Sequence, residues 1–290
     1  HPGANPKVLR WGLYDGEVEQ DLCWMRDEFG PALGQAVRAS GGIDLVTVLA
    51  KTAGMGDENH NRQPAASMYL ALQIIPHFMD VEHPKKNDMV RFLAGNDRFF
   101  LHVMMAGAES VLASVKKVPY STVMVAMGGN GVKFGTRFAG TGARWFTVDA
   151  PLIEGLFLKP TYTKDDLLGF LGDSCVTEVY GLGGMSASAG PGYVVLTGST
   201  FADSLQRAAD ARKVCVAEPR FAPIPWDGGQ GFPVGVDARK VVGLNILPTS
   251  HGGGTLKNGG QGTMGAAKLP MDCFKQGLIA INEILMNEAK

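Results

Sequence analysis

Residues 54–67 read GMGDENHNRQPAAS and bring Asp57, Glu58, His60 and Arg62 into one short stretch. A histidine titrates near neutral pH, so beside two carboxylates it can take up or deliver a proton. An arginine in the same turn can hold an anion through two parallel hydrogen bonds. Pro64 marks the first turn of a helix, where its missing N–H costs nothing. The free N–H groups just beyond it favour negative charge, either a ligand or the protein's own carboxylates. Two readings stand side by side. In one, Asn61 or Gln63 caps the helix while Asp57 and Glu58 lie in water. In the other, His60 moves protons with Glu58 or Asp57, and Arg62 binds an anionic substrate. A metal reading of Asp57, Glu58 and His60 lacks a second histidine at ligand spacing, and metal dependence stays open.

Three further clusters carry polar chemistry among glycines. GGNGVKFGTRFAGTGARW holds Asn130, Arg137 and Arg144. Its glycines let backbone N–H groups crowd an anion, but no G-K-[ST] follows them, so it is not a P-loop. Tight hairpins explain the same pattern. GDSCVTEVYGLGG holds Asp173, Ser174 and Glu178. Cys175 reads as a small buried thiol, because no neighbouring base is identifiable. GVDARK and PTSHGGGTLKNGGQG hold Asp237, Arg239 and His251, the last at the head of a glycine-rich loop of the kind that serves as a lid or a ligand cradle.

These clusters sit in a chain of 290 residues with net charge -1, 45% hydrophobic and 19% charged residues. Such a composition folds, and near-neutrality gives no argument for nucleic acid or an anionic membrane. No run of about eighteen apolar residues is present, and the start HPGANPKVLRW lacks a signal-peptide core. The four cysteines form no CxxC pair, which fits a reducing, cytoplasmic setting.

The elements that must position the clusters divide at about residue 118. Helical spacing runs through 17–40, with Pro31 as a break or kink, then through 43–54, 64–79 and 84–117. After Pro119, β-branched runs alternate with glycine turns, an amphipathic helix begins near Asp203, and a last helix begins near Met271. This predicts an α+β fold: a mainly helical domain, 1–118, and a mixed α/β glycine-rich domain, 119–290, ending in a helix. Strands and helices do not alternate cleanly, which disfavours a Rossmann sheet.

The stretches WMRDEFGPALGQAV, GMGDENHNR, AMGGNGVKFGTRFAGTGARWF, GDSCVTEVYGLGG, GVDARKVV and PMDCF, in that order, resemble the bacterial family typified by the YlbE/AllG-type subunit of oxamate carbamoyltransferase. The resemblance implies carbamoyl transfer from an oxalurate-like ureido acid to phosphate, and partner subunits. It implies an additional N-terminal segment in the family, so this chain would work with that segment or with another subunit, as an oligomer. The family's H-Q-R-N reads His60-Asn61-Arg62-Gln63 here, Gly129 stands where an arginine precedes the asparagine, and the loop at His251 is rebuilt. The expectation is an enzyme for a small anionic amide or ureido acid. A C–N hydrolase of the same fold, a non-catalytic half-site subunit and a small-molecule sensor are the alternatives.

Overall fold

The computed structural model describes residues 11–172, 174–219 and 221–288. Helix α1 (Gly16–Trp24) starts where Asp15 accepts hydrogen bonds from the N–H groups of Glu17 and Val18. It runs through a π-helical turn, Met25–Phe29, into α2 (Gly30–Ala39). Pro31 was expected to break or kink this helix. A proline cannot donate to the carbonyl four residues back and its ring crowds that oxygen, and here the regular helix gives way to the π-helical turn just before Pro31. Asp44 caps α3 (Leu45–Ala53) and Gly54 closes it. Helices α4 (Pro64–Ile74), α5 (Lys86–Gly95) and α6 (Phe100–Val115) complete the helical layer.

The apolar spacing of these helices meets in one core. Phe29 lies against Trp24, Phe92 and Phe99, with ring centroids 5.2, 5.0 and 5.4 Å away. Edge-on and offset contacts of this kind add about 0.5–1.5 kcal/mol per pair to the burial itself. Phe100, Met104, Ala108 and Leu112 form the buried stripe of α6 at four-residue spacing. Leu182, Ala189, Ile224 and Phe232, from much later in the chain, close the same core.

The second half builds antiparallel sheets. Strands β1 (Met124–Asn130), β2 (Lys133–Phe138), β3 (Phe146–Asp149) and β5 (Leu171–Gly172) pair in the order β3-β2-β1-β5. A second sheet has the order β4-β9-β8, from β4 (Glu154–Phe157), β8 (Thr249–Thr255) and β9 (Gln261–Lys268). The short pair β6 (Cys215–Ala217) and β7 (Val234–Val236) is also antiparallel. All named pairings are antiparallel, so the fold is α+β with no Rossmann arrangement among the described residues. Helix α11 (Met271–Glu288) covers the first sheet, with Phe138 of β2 against Phe274 at 5.8 Å. No single helix among the described residues is long and apolar enough to cross a membrane; α5 and α6 together have the composition but meet at 84°.

Between the two halves lies α7 (Cys175–Tyr180), packed against α6 on one side and β1 on the other. A tight turn of 3-10 character, Gly183–Ala189, follows it and rests on β8 and on α9 (Phe201–Val214). Short α8 (Pro191–Leu196) precedes α9, and α10 (Ala238–Leu244) precedes β8. The α3–α4 loop, α7, the 3-10 turn and β8 thus enclose a common point.

Candidate active site

The α3–α4 loop folds inward. Asn59 takes a left-handed conformation, φ 60°, which asparagine tolerates better than most residues. Its side chain is tied to Thr52 Oγ1 at 3.1 Å and to the Asp57 carbonyl at 3.2 Å. This turn sends the Glu58 carboxylate back over its own loop, where Oε1 accepts from the N–H of Arg62 at 2.5 Å and of His60 at 3.3 Å. Asp57 Oδ2 accepts from the N–H of Ala66 at 2.9 Å and so caps α4 from nine residues upstream. Asn61 and Gln63 were the sequence's candidate caps; Gln63 makes no cap bond and spends its amide on the N–H of Leu101 and the carbonyl of His60. Asp57 and Glu58 are buried, not in water.

Across from this loop, α7 supplies Glu178, and Ser174 stands just before its first turn. Ser174 Oγ lies 2.7 Å from His60 Nε2. Glu178 Oε1 accepts from the N–H groups of Gly184 and His251, both at 2.7 Å, and stands 3.7 Å from His60 Nδ1. Glu178 Oε2 pairs with the Ser250 hydroxyl. From β8, His251 Nδ1 faces Glu58 Oε2 at 3.4 Å, and its ring packs on Tyr193 at 4.8 Å. Tyr193 in turn donates its hydroxyl to the carbonyl of Gly252 at 3.1 Å. His251 Nε2 is buried with no hydrogen-bond partner among the described residues.

Two carboxyls with 0% exposure therefore share two histidines. Their environments push them apart. Burial lifts Glu178 to about 8, against the hydrogen bonds from Ser250, Gly184 and His251. Burial acts on Glu58 in the same sense, but the His251 ring, His60 and the Arg62 N–H outweigh it and hold Glu58 below the ordinary carboxylate range. The two carboxyls are thus shifted in opposite directions, Glu178 up by burial and Glu58 down by its partners. Asp57, lifted by burial to about 6, sits beside them, and the half-exposed Arg62 lies 4.0 Å from it. No group of three or more His, Cys, Asp or Glu side chains fit to hold a metal occurs among the described residues.

The glycines of 181–192 make this closeness possible. A Cβ on Gly183, already at φ +64°, would stand 2.4 Å from Glu178 Oε1, and one on Gly190 would stand 2.6 Å from Glu58 Cγ. The spacing of that tract was the sequence signal for Tyr193 and the cradle, and it went unread. Ser250 had no signal of its own.

The structure brings Asp57, Glu58, His60, Arg62, Ser174, Glu178 and His251 together. Asp173 lies outside the described residues. The remaining candidates are engaged elsewhere. Asn130 accepts from the N–H groups of Val132 and Lys133 and shapes the β1–β2 hairpin. Arg137 donates to the Gly142 carbonyl at 2.8 Å, and exposed Arg144 faces Glu283 at 3.8 Å. Asp237 caps α10, accepts from Thr122 Oγ1 at 2.6 Å and pairs with Arg239 at 2.8 Å. His251 does not open a loop: it sits inside β8, opposite Ala266 of β9, and the glycines after it are buried strand residues. Gly129, where the resemblance led us to look for arginine, has no room for a side chain, since its Cβ would lie 2.3 Å from the Phe170 carbonyl oxygen.

The fold and this centre define an α+β protein with buried paired carboxylates and histidines. A family model described as oxamate carbamoyltransferase subunit AllG matches residues 1–174. The chain is 33% identical over 284 residues to the oxamate carbamoyltransferase subunit AllG of Escherichia coli K12, covering 96% of this chain and 67% of that protein. It is 32% identical over 277 residues to the uncharacterized YahG of the same organism, covering 94% of this chain and 58% of that protein. A crystal structure of a conserved protein of unknown function from Enterococcus faecalis V583 superposes with a TM-score of 0.88 at 34% identity, covering 96% of this chain and 67% of that one. The chain belongs to the AllG family. It spans 58% to 67% of the length of these relatives.

Proposed function

We propose that this chain provides the acid–base centre of a carbamoyl-transfer system, moving a carbamoyl group from a small anionic, oxalurate-like ureido acid to phosphate. One observation carries the reading: Glu58 and Glu178, both fully buried, meet His60 and His251 in a single hydrogen-bonded group. A buried charge is costly unless it is paired, and strongly shifted titratable groups gather at functional sites. His60 moves the proton, Glu58 holds the charge that develops on the histidines, and Glu178, accepting from the N–H groups of Gly184 and His251, orients the loop backbone. Arg62, at the edge of the centre, binds the substrate's carboxylate. The Escherichia coli relative, an oxamate carbamoyltransferase subunit, supports the substrate class and a partner chain.

A second reading, a half-site subunit, is favoured by the position of the cations. Arg137, Arg144 and Arg239 each have other partners, which leaves Arg62, of these four, near the centre. A partner chain would then supply the rest of the anion site. Incubation with oxalurate and phosphate, with the carbamoyl phosphate measured, tests both. Turnover by the chain alone, lost in His60→Ala, supports the first reading. Turnover appearing only with a partner chain supports the second. Release of ammonia without carbamoyl phosphate would replace transfer by hydrolysis.

A further inference from the structure

The hydroxyl of Ser174 does not do what its place in the chain asks of it. A serine just before a helix ordinarily accepts a hydrogen bond from an N–H two or three residues on. Ser174 makes no such bond to α7. The turn is closed without the hydroxyl: the N–H and Oγ1 of Thr177 both donate to the Ser174 carbonyl, at 3.1 and 2.9 Å. The Ser174 side chain is committed to His60 Nε2 instead, across 114 residues of sequence. The other ring nitrogen of His60 is held between the Asn61 amide at 2.9 Å and Glu178 at 3.7 Å. Ser174 and His60 keep 6% and 4% exposure, against 0% for Glu58 and Glu178, so the pair lies nearer the surface of the centre than the two carboxyls.

A hydroxyl within reach of a histidine whose far nitrogen is oriented by a third group is the arrangement that activates a nucleophile. We propose that Ser174 is the nucleophile of the centre and carries the transferred group as a carbamoyl ester. This rests on the carbamoyl-transfer reading. In the His60 tautomer whose Nδ1–H points to the Glu178 carboxylate rather than accepting from the Asn61 amide, Nε2 is the acceptor. Ser174 Oγ attacks the terminal carbamoyl carbon and its proton passes to that nitrogen. The bond from that carbon to the adjoining nitrogen breaks, and His60 returns the proton to the departing amide. An oxygen of hydrogen phosphate then attacks the ester carbon. The bond to Ser174 breaks, and the phosphate's proton returns through His60 to Ser174 Oγ, leaving carbamoyl phosphate and the free serine.

The test separates this proposal from the reading beneath it. The full chain is treated with para-nitrophenyl dimethylcarbamate, an activated carbamate that needs no natural substrate. The expected result is a burst of one nitrophenol per chain and a dimethylcarbamoyl group on the peptide containing Ser174. The burst is lost in Ser174→Ala, retained in Ser174→Cys, and slowed about 100-fold or more in His60→Ala, the scale of a lost general base. Labelling of Cys175 or another residue instead, or a burst unchanged in Ser174→Ala, overturns the proposal. Oxalurate turnover is measured in parallel. If it persists in Ser174→Ala, the nucleophile falls and the transfer reading stands. If the wild-type chain labels at Ser174 but makes no carbamoyl phosphate alone or with a partner chain, the transfer reading falls and the nucleophile stands.

Discussion

The polar centre and the glycine-rich hairpin of β1 and β2 look alike in sequence and differ in space. Both mix glycine with charged and amide side chains. In the centre, Glu58, Glu178, His60 and His251 come from three separate elements and lose water almost completely. In the hairpin, Asn130 and Arg137 contact residues a few positions away. Arg144, just beyond it, lies over the Phe146 ring and faces a surface carboxylate on α11. A polar group that meets neighbours in its own turn keeps water as an alternative partner. A polar group buried against distant elements has no alternative, so its removal leaves its partners unsatisfied. Polar density along the chain is thus a poor guide to a site; long-range polar contact under burial is a better one.

This contrast is open to direct attack. The largest effect belongs to Glu58→Ala, which strips the N–H groups of His60 and Arg62 and leaves His251 without its carboxylate. A loss of about 3–5 kcal/mol in denaturant unfolding is expected, the scale for breaking a buried charged pair. A loss no larger than that of a surface variant would erase the distinction. Gly183→Ala comes next. It forces a side chain into a left-handed backbone position and against Glu178, at a cost of about 1–3 kcal/mol. It should lower activity along with the melting temperature.

The pH dependence follows from the signs of the shifts. Glu178 is raised from 4.5 to about 8, so the folded chain binds more protons than the unfolded one across that range. Its contribution to stability therefore falls as pH rises from about 4.5 to about 8. Asp57 acts in the same direction between 3.8 and about 6. Glu58, held below its ordinary value, acts oppositely and loses its contribution as pH falls through its folded value. Glu178→Gln should flatten the decline on the alkaline side in melting curves taken across this range. An unchanged profile would show that Glu178 is already ionised in the folded state. The smallest effect belongs to Arg144→Ala, within about 0.5 kcal/mol and without change in turnover, as for an exposed pair just beyond the hairpin. A large loss of activity there would return the hairpin to the site.

Much of the fold was legible. Helical spacing, Pro64 at the start of α4 and the β-branched run of β1 are local signals, and local hydrogen bonding and burial decide such elements. The glycines after His251 misled, because buried strand glycines and loop glycines look the same until the partner strand β9 is placed beside them. Asp57 misled in another way: it caps α4 from nine residues away, beyond the reach of any capping rule written for adjacent residues.

By itself, the sequence determined the α+β class, the family and the stretch around His60 as a chemically able one, because residue types and short-range periodicity carry that information. Tertiary structure alone decided which polar residues share one buried point. Glu58, Ser174, Glu178 and His251 are up to 193 residues apart along the chain. Their contact, and the opposite shifts of the two carboxyls, exist only once the helices and β8 have excluded water between them.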